Sequence, residues 1–402
     1  MTPLDGLRVL DLTHGVAGPY CTMLLGDLGA DVLKIERPDR GDASRYMNVS
    51  RRFLTDIPKV GGDYFMAINR NKRSVTVDFK KHEGIQLIRD LARHVDIVVQ
   101  NFRPGVVERL GLGPVDLRAL NDRLIYATLN AYGESGPLAH QPGMDVAIQA
   151  RSGVMSITGS QSHTEPIKPG VSLADFAGGA HLVIAVLAAL FQREHTGKGE
   201  DVRVALLDAT MSMLINYSVA VTDGGADIAR MGSGHPQLAP FEAVPTKDGF
   251  VVIAPGTNRL FHDLCNLLER TDLSSDPRFL TNPDRVSNRP ELLAELVPSF
   301  MEHTTSEWLA VLEENSIPCA PVNTLQAAFA EPQLRANGML RSVNHPSFGA
   351  LTQLGAPYRI GGTTLDIRMP PPMLGEHTFE VLAEVLGLPE TELGRLQANG
   401  VI

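Results

Sequence analysis

Asp175 lies in the run Lys168-Pro-Gly-Val-Ser-Leu-Ala-Asp-Phe-Ala-Gly-Gly-Ala-His181, at the opening of a long apolar helix. Its neighbours Val171, Leu173, Ala174 and Phe176 are apolar, so its carboxylate is poorly solvated and raised in energy. The N–H groups at the helix start offset part of that cost. An acid that is reactive yet still ionised is a nucleophile. Gly178-Gly179, lacking side chains, would let a ligand approach the backbone. An Asp at a helix start is more often only an N-cap, and position alone favours that reading. The rest of the chain has to decide.

The second group able to do chemistry is cationic. Residues 34–109 hold sixteen Lys/Arg against ten Asp/Glu, a local +6 on a 402-residue chain of net charge −10. An acidic protein with one basic stretch suits a small polyanionic ligand and not a nucleic-acid backbone. Arg37, Lys72, Arg73, Arg103 and Arg109 are the candidate cations in that stretch. Cys21, Cys265 and Cys319 are too scattered to form a metal site or redox pair, which fits a reducing compartment. No basic-then-apolar leader precedes the first strand, so a cytoplasmic location is expected, and the apolar run Phe176–Phe191 is read as a buried helix too short to span a bilayer. Met211 and Met213 are expected in the core, as is His181.

Positioning such groups needs a scaffold, and the first 220 residues alternate strand and helix patterns as in a parallel sheet covered on both faces. Strands are predicted at Arg8–Leu12, Asp31–Ile35, Ser74–Asp78, Val95–Val99 and Leu124–Thr128, with helices at Tyr20–Gly29 and Glu83–His94. The rhythm is Rossmann-like, but Thr13-His-Gly-Val-Ala-Gly-Pro19 replaces a G-x-G-x-x-G turn, which argues against NAD or FAD. Glycine-rich residues 222–236 read as a connection. A smaller α+β domain follows, with a strand at Phe250–Ile253 and helices at Asn258–Glu269, Pro290–His303 and Ser306–Asn315. The stretch from Ala327 to Ile402 is turn-rich and ends in helices.

Six strings occur in one order along the chain: Leu10-Asp-Leu-Thr-His-Gly-Val-Ala-Gly-Pro19, Gly29-Ala-Asp-Val-Leu-Lys-Ile-Glu-Arg-Pro38, Asn71-Lys-Arg-Ser74, Asn101-Phe-Arg-Pro-Gly105, the Asp175 run, and Pro371-Pro-Met-Leu-Gly-Glu-His-Thr378. In this the chain resembles the class III CoA transferases and the related α-methylacyl-CoA racemases, with most likeness to the succinyl-CoA:dicarboxylate branch. The resemblance implies a large domain built from both chain ends (1–222 and 326–402), a small domain with linkers at 223–325, and an interlocked homodimer. It implies CoA and acyl-CoA as substrates, with no tightly bound cofactor and no metal.

Under the same resemblance, His14, Val16 and Ala17 lie along CoA. Arg37 and Lys72 meet its adenine or phosphate end, and Asn101 and Phe102 flank the pantetheine. Arg73, Arg103 and Arg109 add charge for the phosphates. Asp175 is the implied nucleophile, passing through mixed anhydrides and an aspartyl-CoA thioester. Asp145 either orients groups beside it or is structural, and Gly232-Ser233-Gly234 either matches a loop that covers the site in oxalate-using relatives or is a plain linker. The racemases carry Gly-His-Asp where this chain has Gly143-Met144-Asp145, and methionine cannot exchange protons. Transfer to oxalate and racemisation are the alternatives.

Overall fold

A computed structural model of the chain describes residues 2–50, 59–162 and 164–402. It divides into two compact units. The first comprises Met1–Gly153, Pro169–Thr222 and Gln333–Ile402, and the second Val154–Lys168 and Asp223–Pro332. Val154–Lys168 thus clusters with the middle of the chain although it precedes the Asp175 helix.

The first unit is built on six parallel strands: β1 (Arg8–Asp11), β2 (Asp31–Glu36), β3 (Lys72–Thr76), β4 (Ile97–Gln100), β5 (Ile125–Asn130) and β6 (Asp201–Ala205). Their order is β3-β2-β1-β4-β5-β6. Strands β3, β4 and β5 are buried along their whole length, as a sheet covered on both faces requires. The chain grows outward from β1 to β3 and then crosses to β4. The strand order therefore reverses between β1 and β4, a switch point at whose carboxyl ends such sheets commonly bind ligands.

Successive strand residues face opposite sides and feed two cores. Leu10, Leu33 and Val98 pack with Leu87, Ile88 and Leu91 of an amphipathic helix at His82–Ala92. Val9, Val32, Ile97 and Val99 pack with α1 (Ala17–Asp27) and with a second long helix. That helix, Leu173–Thr196, follows the shorter α2 (Asp145–Arg151) and is called α3; α4 (Leu206–Ser212) comes after β6. Helix α3 has 24 residues and ends on Gly197 in the left-handed region.

Two expectations change here. By length and composition α3 could cross a membrane, and only half of its most apolar window is buried. Met211 and Met213, read as core, are each 48% exposed, beside exposed Ile184, Phe191, Ile215 and Val219. His181 is half-buried, with Nε2 at 3.0 Å from the Ser212 hydroxyl.

The carboxyl-terminal segment closes the sheet edge at β3. The Asn71 side chain accepts from the backbone of Arg368 and Met369, Gly375 donates to the Ser74 hydroxyl, and His377 donates to the Ser74 carbonyl. Arg45, fully buried, grips both oxygens of Glu36 and also reaches the Pro372 carbonyl.

The second unit holds an antiparallel sheet in the order β7-β8-β9 (Glu242–Pro245, Phe250–Ile253, Cys319–Pro321), packed by helices at Asn258–Leu267, Arg289–Phe300 and Thr305–Glu314. A capping box of Thr304 and Glu307 opens the last of these.

Candidate active site

The loop from β1 to α1, Thr13 to Val16, is bound by side chains at nearly every backbone group. Asp11 accepts from the Thr13 N–H at 2.9 Å and Asn101 from the His14 N–H at 3.0 Å, while Asn101 donates back to the His14 carbonyl at 2.8 Å. Asp42 accepts from Gly15, whose φ of 80° suits glycine. At the helix start the pattern stops. Among the described residues nothing accepts from the N–H groups of Val16, Ala17 or Gly18, and α1 has no side-chain cap. Open helix N–H groups are a site for negative charge.

Beside this loop, at the carboxyl ends of β1 and β2, lies a cleft of about 600 Å³. His14, Arg37, Arg40, Tyr46, Phe79 and Phe102 are among its walls. The Phe102 ring packs on His14 at 5.4 Å and on Phe79 at 6.1 Å, which gives the cleft an apolar side. Burial holds His14 below its ordinary pKa, so it presents a neutral ring. Arg37 pairs with Asp39, and Arg40 is exposed with no ion pair among the described residues.

Asp175 is the third residue of α3, and Ser172 is the N-cap position without a side-chain bond. The capping is done from α2: Asp145 Oδ1 accepts from the N–H groups of Ala174 at 2.9 Å and Asp175 at 3.3 Å. The fully buried Gln149 steadies Asp145 by donating to its Oδ2 at 2.7 Å and to the Val171 carbonyl at 3.2 Å. The carboxylate of Asp175 itself has no hydrogen bond or ion pair among the described residues. Burial, and after it the Asp145 charge, push its pKa up to about 7.

Gly179, one turn further along the same face of α3, brings α1 close. A Cβ there would stand 2.6 Å from the Ala17 carbonyl oxygen, and one on Gly178 would stand 2.4 Å from Leu206. The Phe176 and Tyr20 rings meet edge to face at 4.9 Å. The glycine pair therefore lets α3 pack on its neighbours, which corrects its reading as a place for ligand approach. The same contact packs α3 on Ala17, the first residue of α1, one turn beyond Asp175.

A partner-free acid on a helix packed against one with open N–H groups, in a unit that also holds a cleft with cationic and aromatic walls, suits acyl transfer from a large thioester. Residues 4–378 match the model of CoA-transferase family III. The chain belongs to this family. It is similar to the mouse succinyl-CoA:glutarate CoA-transferase, with 37% identity over 100% of this chain and 91% of that protein. It is also similar to the formyl-CoA:oxalate CoA-transferase of Rhodopseudomonas palustris strain CGA009, with 32% identity over 99% and 96% of the two chains. The crystal structure of a CAIB/BAIF family protein from Brucella suis superposes with a TM-score of 0.84 at 37% identity, covering 96% and 99% of the two chains.

In this CoA transferase the predicted cations separate into two groups. Lys72 is fully buried, and its ammonium donates to Asp11, the Pro19 carbonyl and Asn69. Arg73 is bound by Asp31, Glu380 and Glu384. Both are corrected from phosphate ligands to internal ties. Lys34, Arg45 and Arg70 are likewise buried against acids, so much of the +6 stretch is neutralised within the protein. Arg51 and Arg52 lie outside the described residues.

Arg37, Arg103 and Arg109 keep solvent access, Arg109 being near enough that a Cβ on Gly105 would be 3.1 Å from its guanidinium. Asn101 bonds the loop backbone and Phe102 walls the cleft. Sequence reasoning missed Arg40 and Phe79, two walls of the cleft. The signal was available, since Phe79 lies three residues past β3 at the carboxyl end of the sheet, and the exposed Lys80 follows it.

In the second unit, Gly232 donates to the Gly159 carbonyl at 2.9 Å, the Ser233 hydroxyl accepts from Ala243, and Gly234 donates to the Met231 carbonyl. In this conformation the segment is tied down. Met144 is 73% exposed at the head of α2, and His140 is exposed.

Proposed function

We propose that this CoA transferase moves CoA from succinyl-CoA, or a similar dicarboxylyl-CoA, to a carboxylic acid. Asp175 attacks the thioester carbonyl, the carbonyl electrons move onto oxygen, and collapse of that oxyanion expels CoA thiolate and leaves a mixed anhydride. Thiolate then attacks the aspartyl carbonyl and releases the donor acid, leaving an aspartyl-CoA thioester. The acceptor carboxylate repeats the two steps in reverse order. The open N–H groups of Val16 and Ala17 are the donors offered to each oxyanion.

The observation that carries this reading is the unpartnered Asp175 carboxylate, capped from behind by Asp145 and held near a pKa of 7. At neutral pH a large fraction of it is ionised, and among the described residues it spends no lone pair on the protein. His14, Arg37, Arg40, Asn101, Phe102, Arg103 and Arg109 form the CoA side of the site. The relatives named for succinyl-CoA and glutarate support a dicarboxylate donor, and Met144 in place of an acid–base group weighs against racemisation. The exposed apolar residues Ile184 and Phe191 of α3, Met211 of α4, and Ile215 and Val219 support a second copy of the chain as partner, which is read as an interlocked homodimer. The protein is read as cytoplasmic.

The deciding experiment is to incubate the protein with succinyl-CoA and map peptides by mass spectrometry. An adduct of CoA mass on the Asp175 peptide, converted to a hydroxamate by hydroxylamine, is the expected result. Turnover with that peptide always unmodified would sink the mechanism. A matrix of acyl-CoA donors against acids then names the substrates.

A further inference from the structure

Asp42 is a buried acid that the reaction scheme above does not use. It caps the 3-10 turn Ala43–Tyr46, and its two oxygens collect four donors. Oδ1 accepts from the Ser44 N–H at 2.7 Å, the Ser44 hydroxyl at 2.8 Å and the Gly15 N–H at 3.0 Å. Oδ2 accepts from the Lys34 ammonium at 2.7 Å, in a pair almost completely withdrawn from water. Lys34 also reaches the Thr13 carbonyl at 3.2 Å, so it holds the same loop from the other end.

Asp42 also forms part of the wall of the 600 Å³ cleft, between Arg40-Gly41 and Ala43. The residue thus stands between the cleft on one side and the backbone of the β1–α1 loop on the other. The loop has one glycine joint. Gly15 is in the left-handed region with no atom within 4 Å of where a Cβ would be, and the N–H groups directly after it are the unpaired ones of Val16 and Ala17. The hydrogen bond from the Gly15 N–H to Asp42 anchors the peptide plane that enters this joint, and with it the point from which those donors are set out.

We infer that Asp42, backed by Lys34, is a positioning residue that aims the Val16 and Ala17 N–H groups at the developing oxyanion. This rests on the reading of Asp175 as nucleophile. The acid never touches the reacting atoms. It acts when a C–O bond forms between Asp175 and the thioester carbon and the displaced electron pair settles on the carbonyl oxygen, because the donors must already point there. Burial opposes the charge of Asp42, but Lys34 and the N–H groups of Ser44 and Gly15 hold its pKa at about 2, so the clamp keeps its charge at every working pH.

The test uses Asp42→Asn in the full-length protein, with Gly15→Ala as a second variant that strains the same joint without touching the ion pair. Single-turnover formation of the Asp175 adduct from succinyl-CoA should slow by about 100-fold in each, as expected when oxyanion donors are lost. The KM for succinyl-CoA should stay within about threefold of wild type. Adduct formation at the wild-type rate in folded Asp42→Asn overturns the inference. So does a KM effect with unchanged kcat, which would make Asp42 a binding residue. If Asp42→Asn does not fold, Gly15→Ala decides by the same rates. Absence of the adduct in wild type would instead remove the Asp175 reading, and this inference with it.

Discussion

Asp145 Oδ1 takes the backbone N–H of Asp175 at 3.3 Å while the Asp175 carboxylate bonds to nothing among the described residues. Two acids share one helix start, and the capping falls to the one from the neighbouring helix. The arrangement spares Asp175 for covalent work, and the like charge behind it adds to the rise in pKa that burial produces.

Removing the carboxylate should therefore abolish exchange. Asp175→Ala is expected to lower kcat by about 10³-fold or more, with CoA binding retained. Exchange of label between succinate and succinyl-CoA measures it. Near wild-type exchange would show that the acid is not the nucleophile.

The pH profile follows from the same geometry. With a carboxyl that titrates at about 7, kcat/KM should fall as pH drops through that value, because the nucleophile gains a proton. Asp145→Asn removes the like charge but keeps an oxygen for the Ala174 and Asp175 N–H groups. Its acid limb should move to lower pH, and an unmoved limb would mean that burial alone sets the value.

Stability should change with the opposite sign to activity. The Asp175 pKa in the folded chain lies above its ordinary 3.8, so the native state binds more protons than the unfolded chain between the two values. Stability contributed by this group is present below about pH 4 and is lost as pH rises through 7. Asp175→Asn should then stabilise the protein at pH 8 by about 2 kcal/mol, allowing for partial exposure, and by almost nothing at pH 4. Paired thermal melts would show it. An equal gain at both values would point to packing and not charge.

The two classes of cation should respond differently to mutation. Lys72→Met leaves Asp11 buried without its nearest ammonium and is expected to cost about 3–5 kcal/mol. Arg40→Ala or Arg109→Ala should leave the melting temperature within about 2 °C while raising the KM for acyl-CoA about tenfold, more steeply at low salt. A stable Lys72→Met with a selective KM defect would return that lysine to the ligand site.

The tight passage at Gly179 gives a packing prediction. Gly179→Ala sets a methyl about 2.6 Å from the Ala17 carbonyl, so α1 and α3 must separate. A loss of about 1–3 kcal/mol is expected, together with slower transfer because the donors and the acid move apart. Chemical denaturation and kcat on the same preparation would separate the two effects.

What the sequence made legible was local. Runs such as Ile97–Gln100 and the amphipathic spacing of Leu87, Ile88 and Leu91 show strand and helix without any partner being known. Edge strand β6, half-exposed along Asp201–Val204, lacks the apolar run that marks the others and was not foreseen. Asp175 was visible because its apolar setting lies within its own segment. Lys72 and Lys80 look alike as letters, and only partners far away, Asp11 at 61 positions for Lys72, decide which one is buried. Asp42 reads as a loop acid after a glycine until the fold brings Gly15 and Lys34 to it. Gly178-Gly179 was correctly marked as a close approach, but the approaching group is protein backbone and an apolar side chain.

The seam between β3 and the segment from Arg368 to Thr378 bears on how the chain reaches this state. Strand β3 is an outer strand, and the groups that cover it lie about 300 positions downstream of Ser74. During synthesis the buried Arg45–Glu36 pair lacks the Pro372 carbonyl and the sheet edge stays open until the segment Arg368–Thr378 has left the ribosome. A nascent chain with a bare strand edge is prone to adhere to other chains. Yield of soluble protein should thus depend on chaperone supply, and the open edge during synthesis should limit it more than the stability of the finished molecule does.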